Sequence, residues 1–313
     1  DLGEDGVWTG VGWTGMPVLV QWDDEVRPFL GVYDEFKNKD GFTEVIYPAM
    51  DGNIYFLELS TGKATRDPID LGVVMKGTAT LDPRGYPLLY IGQGAMSTNE
   101  EGTRGAWFRV ISLIDNEVIW SFGGRDPFSP REWQAYDSSA MVDAETDTLI
   151  AAGENGVLYS VKLNSVFDRV NGTVTVSPDP LAKYRYTANG YADSDDSRQW
   201  GIESSPAFWK NYAFFTDNGG YLQCVDMNTL KAMYAADIAD DGDAGVVLEE
   251  DYEAGTLYLY TANAVNTQSG IENGFGKSWH RKINALTGET VWKKSWDASN
   301  GSRTTNGGTL STP

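Results

Sequence analysis

The chain has 313 residues, with 35 Gly, 16 Tyr, 12 Phe and 11 Trp, and a formal net charge of −21. This charge argues against sequence-independent nucleic-acid binding and against attachment to anionic lipid, both of which need clustered Lys and Arg. A single cysteine, Cys224, excludes an intramolecular disulfide and a Cys-rich zinc site, and no apolar run is long enough to insert into a membrane.

A sequence pattern recurs five times along the chain. Each copy combines a small-residue strand, an alternating strand, an Asx-Gly turn, an aromatic-rich strand and a Thr-Gly-like turn. The hydrophobic residue before the last turn recurs at spacings of 54, 50, 64 and 58 residues, at Leu59, Leu113, Leu163, Met227 and Ala285. Repeats of this length with four short strands are typical of β-propellers. The predicted fold class is therefore all-β, a propeller of four-stranded antiparallel blades.

The predicted strands are apolar runs of four to six residues bounded by Gly, Asn and Asp. In chain order they lie at 18–20, 44–47, 54–57, 88–91, 107–111, 148–151, 157–161, 212–215, 221–225, 256–260 and 279–283. No amphipathic helix is predicted. We predict one propeller domain over 1–313, with blades at 14–72, 76–124, 137–188, 203–239 and 243–297, and the first strand of a sixth at 307–313.

Two of the outer strands carry a turn followed by Trp. Ile114–Trp120 reads Ile-Asp-Asn-Glu-Val-Ile-Trp, and Leu286–Trp292 reads Leu-Thr-Gly-Glu-Thr-Val-Trp. A large flat side chain at this point can wedge against the next blade. The pattern resembles the tryptophan-docking repeat of the pyrroloquinoline-quinone (PQQ) dehydrogenases and their non-enzymatic relatives. The docking column is predicted to contain Arg66, Trp120, Tyr184, Tyr234 and Trp292.

Residues 44–57 and 81–90 are also similar to "PQQ-binding-like β-propeller repeat" proteins of Gram-positive bacteria. The resemblance implies an exported scaffold, extracellular or in the cell envelope, that binds a protein, small molecule or glycan without catalysis. That interpretation needs no cofactor. The alternatives are a PQQ- and calcium-dependent oxidoreductase and a carbohydrate-binding propeller. The adjacent cysteines found in many family alcohol dehydrogenases are absent from this sequence.

A candidate ligand site follows from the repeat register. The residues three positions before the inner-strand small residues should point at the same end of the axial channel, and four of them are charged: Lys76, Asp137, Glu203 and Asp243. They would bind a central ligand, or a hard cation through their carboxylate oxygens. Trp133 and Trp200, just upstream, would offer a stacking surface for a sugar or aromatic ring. The alternative is that these charged side chains are solvated at the rim of the channel and that the two indoles cover the edges of loops.

A second candidate is an acidic cluster at Asp240, Asp241 and Asp243, which is rich in the oxygen ligands of calcium. A further group, Asp193, Asp195 and Asp196, lies in a separate loop. Neither has the spacing of a helix-loop-helix calcium site, and turn chemistry is the alternative for both. His280 is the only histidine, which excludes a His-based metal cluster and argues against a Ser-His-Asp triad. No catalytic residue is predicted.

Overall fold

The computed structural model describes residues 15–185, 200–266, 275–299 and 307–313. The predicted acidic group at Asp193, Asp195 and Asp196 lies outside these residues. Within the described residues the helices are a 3-10 turn at Arg27–Phe29 and a four-residue helix, α1, at Asp34–Lys37. Neither has the length and hydrophobicity that a membrane span requires. Both helices lie between the first two predicted strands, at 18–20 and 44–47.

The first two sheets contain the predicted strands of the first two repeats. The first sheet consists, in spatial order, of β1 (Val18–Val20), β2 (Glu44–Pro48), β3 (Asn53–Glu58) and β4 (Ile69–Asp70). The second consists of β5 (Thr80–Leu81), β6 (Leu88–Gly92), β7 (Ser97–Thr98), β8 (Arg104–Ser112) and β9 (Glu117–Gly124), in which β8 pairs with β6, β7 and β9. Along β3, half-buried and buried residues alternate, as a sheet with two different faces requires.

Three further sheets follow. The third consists of β10 (Met141–Asp143), β11 (Thr148–Ala152), β12 (Val157–Lys162) and, after a hairpin of β13 (Val166–Asp168) and β14 (Thr173–Thr175), the outer strand β15 (Ala182–Arg185). The fourth consists of β16 (Ala207–Trp209), β17 (Tyr212–Thr216), β18 (Tyr221–Asp226) and β19 (Lys231–Asp237). The fifth consists of β20 (Val247–Asp251), β21 (Thr256–Ala262) and, past the short strand β22 (Ala264–Val265), β23 (Phe275–Asn284) and β24 (Thr290–Ser299).

The segment predicted to open a sixth blade forms only a short strand, β25 (Gly307–Gly308). It pairs antiparallel with β22, where Ala264 lies opposite Gly308. The backbone amide of Thr309 then donates to the carbonyl of Asn263 at 3.3 Å. The two glycines therefore form a second short strand beside β22, which follows β21.

The chain divides into two compact units. Unit 1 comprises residues 1–126, 133–151 and 159–182, and unit 2 comprises 127–132, 152–158 and 183–313. In unit 1, buried aromatic rings pack at centroid distances of 5.2 to 6.2 Å around Phe108, Phe122, Tyr136 and Tyr159. In unit 2, the core contains Phe214, Leu222, Leu259 and Ile283.

Cys224 belongs to the core of unit 2. It is 4% exposed, and burial raises the pKa of its thiol to about 12. Because the thiolate is the nucleophile, we expect Ellman's reagent to leave Cys224 unmodified in the native protein at pH 8. One thiol should react in 6 M guanidinium chloride. Rapid reaction of the native protein would show that the core of unit 2 opens easily.

The residues of the predicted docking column differ in what they contact. In unit 1, Arg66 of the first sheet donates through Nη1 to the carbonyl of Leu113 at 2.9 Å, at the end of the second sheet. In unit 2, Tyr234 of the fourth sheet donates to the carbonyl of Ala285 at 2.8 Å in the fifth. Leu113 and Ala285 occupy the same repeat position, so different side chains reach the same backbone group of the following repeat.

The other three docking residues follow different patterns. Tyr184 donates to Oε1 of Gln223 at 3.0 Å, a side chain rather than a backbone carbonyl. The indole of Trp120 packs against Phe122 of its own strand at 5.2 Å. Trp292 is 38% exposed and lies 6.2 Å from the ring of Tyr260.

Tyr234→Phe tests the contribution of the docking hydrogen bond. The variant keeps the aromatic ring, which packs so closely against Gly288 that a Cβ at that position would come within 2.7 Å of it. It removes the hydroxyl that donates to the Ala285 carbonyl. We expect a loss of about 1 kcal/mol in the free energy of unfolding, measured by denaturant titration. Tyr252→Phe is the control because Tyr252 is 84% exposed. Equal effects of the two variants would contradict the docking role.

Candidate functional site

Two turns of unit 2 place polar side chains at the same position of successive repeats. In the turn after β11, the amide of Gly156 donates to the carbonyl of Gly153 at 3.0 Å, and in the turn after β17 Gly220 donates in the same way to Asp217 at 3.1 Å. Both turns end in a left-handed glycine, with φ of 78° at Gly156 and 86° at Gly220. The second position of these turns is Glu154 in one and Asn218 in the other.

Five carboxylates of unit 2 form what we call the acidic site: Glu154, Glu203, Asp240, Asp241 and Asp243. Glu154, Asp240 and Asp241 are 4%, 1% and 2% exposed. Carboxylate oxygens of Glu154 and Glu203 lie within 4.8 Å of each other. Glu203 is held beside the first turn because the adjacent Ile202 donates its amide to the Gly153 carbonyl at 3.0 Å. Burying several acidic groups together is costly unless a proton or a cation compensates their charge.

Asp241 is strongly perturbed by its surroundings. Burial raises its pKa well above the usual value, and the charges of Glu203 and Asp240 raise it further. Hydrogen bonds with the side chains of Asn266 and Asp243 act in the opposite direction. The Asn266 bond runs from Nδ2 to Oδ2 of Asp241 at 2.9 Å. Without a cation, Asp241 therefore holds a proton to higher pH than an exposed aspartate does.

Asn218 lies against Glu203 and completes the set of oxygen ligands. Its Nδ2 donates to Oε1 of Glu203 at 2.7 Å. Its Oδ1 is buried and has no hydrogen-bond partner among the described residues. A Cβ at Gly201 would come within 2.3 Å of this oxygen and within 2.6 Å of Nη1 of Arg131, so the glycine leaves the space that both side chains occupy. An amide oxygen without a donor beside a carboxylate is suited to coordinate a cation.

The loop that carries the aspartates is fixed by its own hydrogen bonds. Asp240 accepts the amide of Asn266 at 2.7 Å through Oδ2, and the amide of Asp241 at 2.8 Å through Oδ1. The amide of Ala264 donates to the Asp241 carbonyl at 2.8 Å. Asp240 therefore orders the loop, and Glu154, Glu203, Asp241 and Asp243 are the other carboxylates of the acidic site.

This donor set fits a hard divalent cation. Calcium is coordinated by six to eight oxygens from carboxylates, amide side chains, backbone carbonyls and water. The acidic site offers carboxylates and one amide oxygen, without a thiolate or an imidazole among them, and so lacks the ligands typical of zinc sites. Of the predicted ligand-binding residues, Glu203 and Asp243 lie here, and so do all three of the predicted metal-binding residues.

The remaining predicted ligand-binding residues have other surroundings. In unit 1, Nζ of Lys76 lies 2.8 Å from Oδ2 of Asp137, and both side chains are buried. Trp133 is half-buried and packs against a small core cluster of Met50, Val74 and Ala95. Trp200, in unit 2, is half-buried. The ion pair with Lys76 neutralises the charge of Asp137. The contacts of Trp133 with the core cluster give its indole a packing role.

Comparison with solved structures finds many similar proteins, among them three that are each larger than this chain. BamB from Moraxella catarrhalis matches with a TM-score of 0.49 and 14% identity, over 85% of this chain and 63% of BamB. U3-55K matches with a TM-score of 0.50 and 9% identity, over 80% of this chain and 60% of the other. The dihydro-heme d1 dehydrogenase NirN, in complex with DHE, matches with a TM-score of 0.52 and 9% identity, over 80% of this chain and 44% of NirN.

These similarities concern the fold alone. NirN is a β-propeller, and the antiparallel sheets described above have the same architecture, so the predicted all-β propeller class is confirmed. The chain spans 44% to 63% of the length of the three proteins. No protein-family model matches the sequence, and no curated protein matches it.

Proposed function

We propose that the chain is a non-catalytic binding propeller whose acidic site holds calcium. The observation that carries the proposal is the hydrogen bond between the buried Asn218 and the half-buried Glu203, beside the strongly perturbed Asp241. Calcium would replace the proton on Asp241 and accept the oxygen of Asn218 as a ligand. It would tie together three segments of unit 2: the Glu154 turn, the Glu203 segment and the 240–243 loop.

The role of calcium in this proposal is to order loops that bind a partner. Binding residues are concentrated on loops that a rigid scaffold positions. The residues of the acidic site lie in turns and loops between the strands. The partner is a protein, a small molecule or a glycan. The resemblance to PQQ-like repeats favours an exported protein, and extracellular calcium modules typically bind with Kd of about 10⁻⁴ to 10⁻³ M.

Two reactive side chains support a function without catalysis. The Cys224 thiol is buried, and its pKa is far above neutrality. His280 packs edge-on against Trp296 at 4.5 Å, with Nε2 within 3.2 Å of Oγ1 of Thr309. Both side chains are engaged in packing rather than presented to a substrate.

Equilibrium dialysis with radioactive calcium at pH 7.5 tests the proposal. The wild type should bind one ion per chain, Glu203→Gln and Asp241→Asn should lose that ion, and Glu253→Gln should retain it because Glu253 is exposed. Absence of binding, or binding that the two site variants leave unchanged, would overturn the calcium site. Turnover of a dye by the protein loaded with PQQ and calcium would overturn the non-catalytic assignment.

A further inference from the structure

The outer hairpin of unit 2 has a charge opposite to that of the whole chain. Between residues 275 and 299 it contains five cationic residues and only two acidic ones, Glu289 and Asp297, in a chain with a net charge of −21. Two of the cations form ion pairs, Lys277 with Asp297 and Lys282 with Glu249 at 3.0 Å. A local positive surface on an acidic protein attracts anionic ligands in preference to neutral ones.

A cavity of about 480 Å³ lies beside this hairpin, within the size range of ligand pockets, which is about 300–1,000 Å³. Its lining includes Asp237, Trp279, Arg281, Trp292 and Lys293. Arg281 lies directly opposite Lys293 in the β23–β24 pair. Trp279 is two residues before Arg281 on β23 and therefore on the same face of the strand. The pairing places two cations and an indole together.

Arg281 is a buried cation with few partners. It is 5% exposed, and Nη1 donates to Oδ1 of Asn263 at 3.3 Å. Its Cζ lies 5.5 Å from the Trp279 ring centroid, and Nζ of Lys293 lies 4.9 Å from the same centroid. Among the described residues, no carboxylate lies within ion-pair distance of Arg281 or Lys293, although the charge of Asp237, which also lines the cavity, acts on Arg281. Burial lowers the pKa of Arg281 to about 10, so the guanidinium stays charged at neutral pH.

We propose that this cavity binds an acidic glycan through the carboxylate of a uronic acid. The carboxylate would pair with Arg281 and Lys293, because a guanidinium binds a carboxylate through two parallel hydrogen bonds. The Trp279 indole, on the same face of the hairpin as the two cations, would contact an apolar face of the sugar ring. Asp237, at the end of β19, would accept hydrogen bonds from the sugar hydroxyls. This site is separate from the acidic site and does not depend on calcium.

Isothermal titration with tetragalacturonate in low salt and EDTA tests the proposal, and EDTA removes any binding through a calcium bridge. We expect saturable binding by the wild type and none of the neutral cellotetraose. Lys293→Gln should weaken binding about tenfold, and Arg281→Gln about thirtyfold or more, because these variants remove the cations that pair with the carboxylate.

Lys294→Gln is the matched control. Lys294 is the next residue on the same exposed strand, and its Nζ lies 5.8 Å from the Trp292 ring rather than beside Trp279. It should bind like the wild type. Because Lys293 is exposed, its variant should fold even if the Arg281 variant does not. Three results would each overturn the site: no saturable binding, equal losses in the two lysine variants, or equal affinity for cellotetraose. None of them bears on the calcium site.

Discussion

Calcium at a thousand times its Kd is expected to raise the free energy of unfolding of the metal-free protein by about 4 kcal/mol at pH 7.5. The physical reason is that the unfolded chain does not hold Glu154, Glu203, Asp241 and Asn218 together, so the ion binds only the folded state. Differential scanning calorimetry in EDTA and in calcium measures the gain as a rise in Tm. The gain should shrink as the pH falls toward 4, because protons compete with the ion for the carboxylates.

The control for this prediction is again a pair of variants. Asp241→Asn keeps the shape of the side chain and removes its negative charge, so calcium should stabilise it far less than the wild type. Glu253→Gln removes an exposed carboxylate of the same unit and should retain the full gain. A rise in Tm that is the same in all three proteins would place the stabilising ion somewhere else.

Glu44→Gln is expected to lower the free energy of unfolding by about 3–5 kcal/mol, because it leaves a buried guanidinium without its counter-charge. Arg66 and Glu44 are 1% and 0% exposed, and Nη2 of Arg66 lies 2.8 Å from Oε2 of Glu44. The same oxygen accepts Nε1 of Trp22 at 2.9 Å. An amide nitrogen in place of either oxygen would face donors instead of accepting from them.

Two further variants separate loss of the charge pair from loss of packing. Glu35→Gln, at an exposed position of α1, should change the free energy of unfolding by less than about 0.5 kcal/mol. The double variant Glu44→Met, Arg66→Met removes both charges and should be more stable than Glu44→Gln alone. If Glu44→Gln costs no more than Glu35→Gln in a denaturant titration, the ion pair does not hold the first sheet together.

The repeat pattern was sufficient to predict the two central strands of each repeat and the turn between them. Alternation and Asx-Gly turns are local signals, so the predicted strand at 54–57 falls within β3 and that at 221–225 within β18. The sequence did not predict the hairpin of β13 and β14 or the short helix α1. These residues lie in insertions between the repeated strands, so an alignment of the repeats assigns them to loops.

The acidic site was predicted only in part. Glu203 and Asp241 were chosen from two separate patterns, the repeat register and an acidic run, and only the fold shows that their charges interact. Glu154 and Asn218 were missed, although the signal was present. Both occupy the second position of the turn that precedes the third strand of a repeat, and comparing that position across repeats would have identified them.

The cavity beside the outer hairpin was missed for a different reason. Trp292 was assigned to blade docking from its position in the repeat, and Trp279 and Arg281 were assigned only to a predicted strand. The pairing of Arg281 with Lys293 depends on the register between β23 and β24, which shifts at a bulge between Lys282 and Ile283. No local sequence signal fixes such a shift.

Calcium coordination at the acidic site of unit 2 can be tested with an anomalous difference map from a crystal grown in calcium. We expect one peak about 2.3–2.6 Å from carboxylate oxygens of Glu203 and Asp241 and from Oδ1 of Asn218. A map without a peak between these side chains, from a crystal in which they are well ordered, would show that the acidic site does not hold calcium.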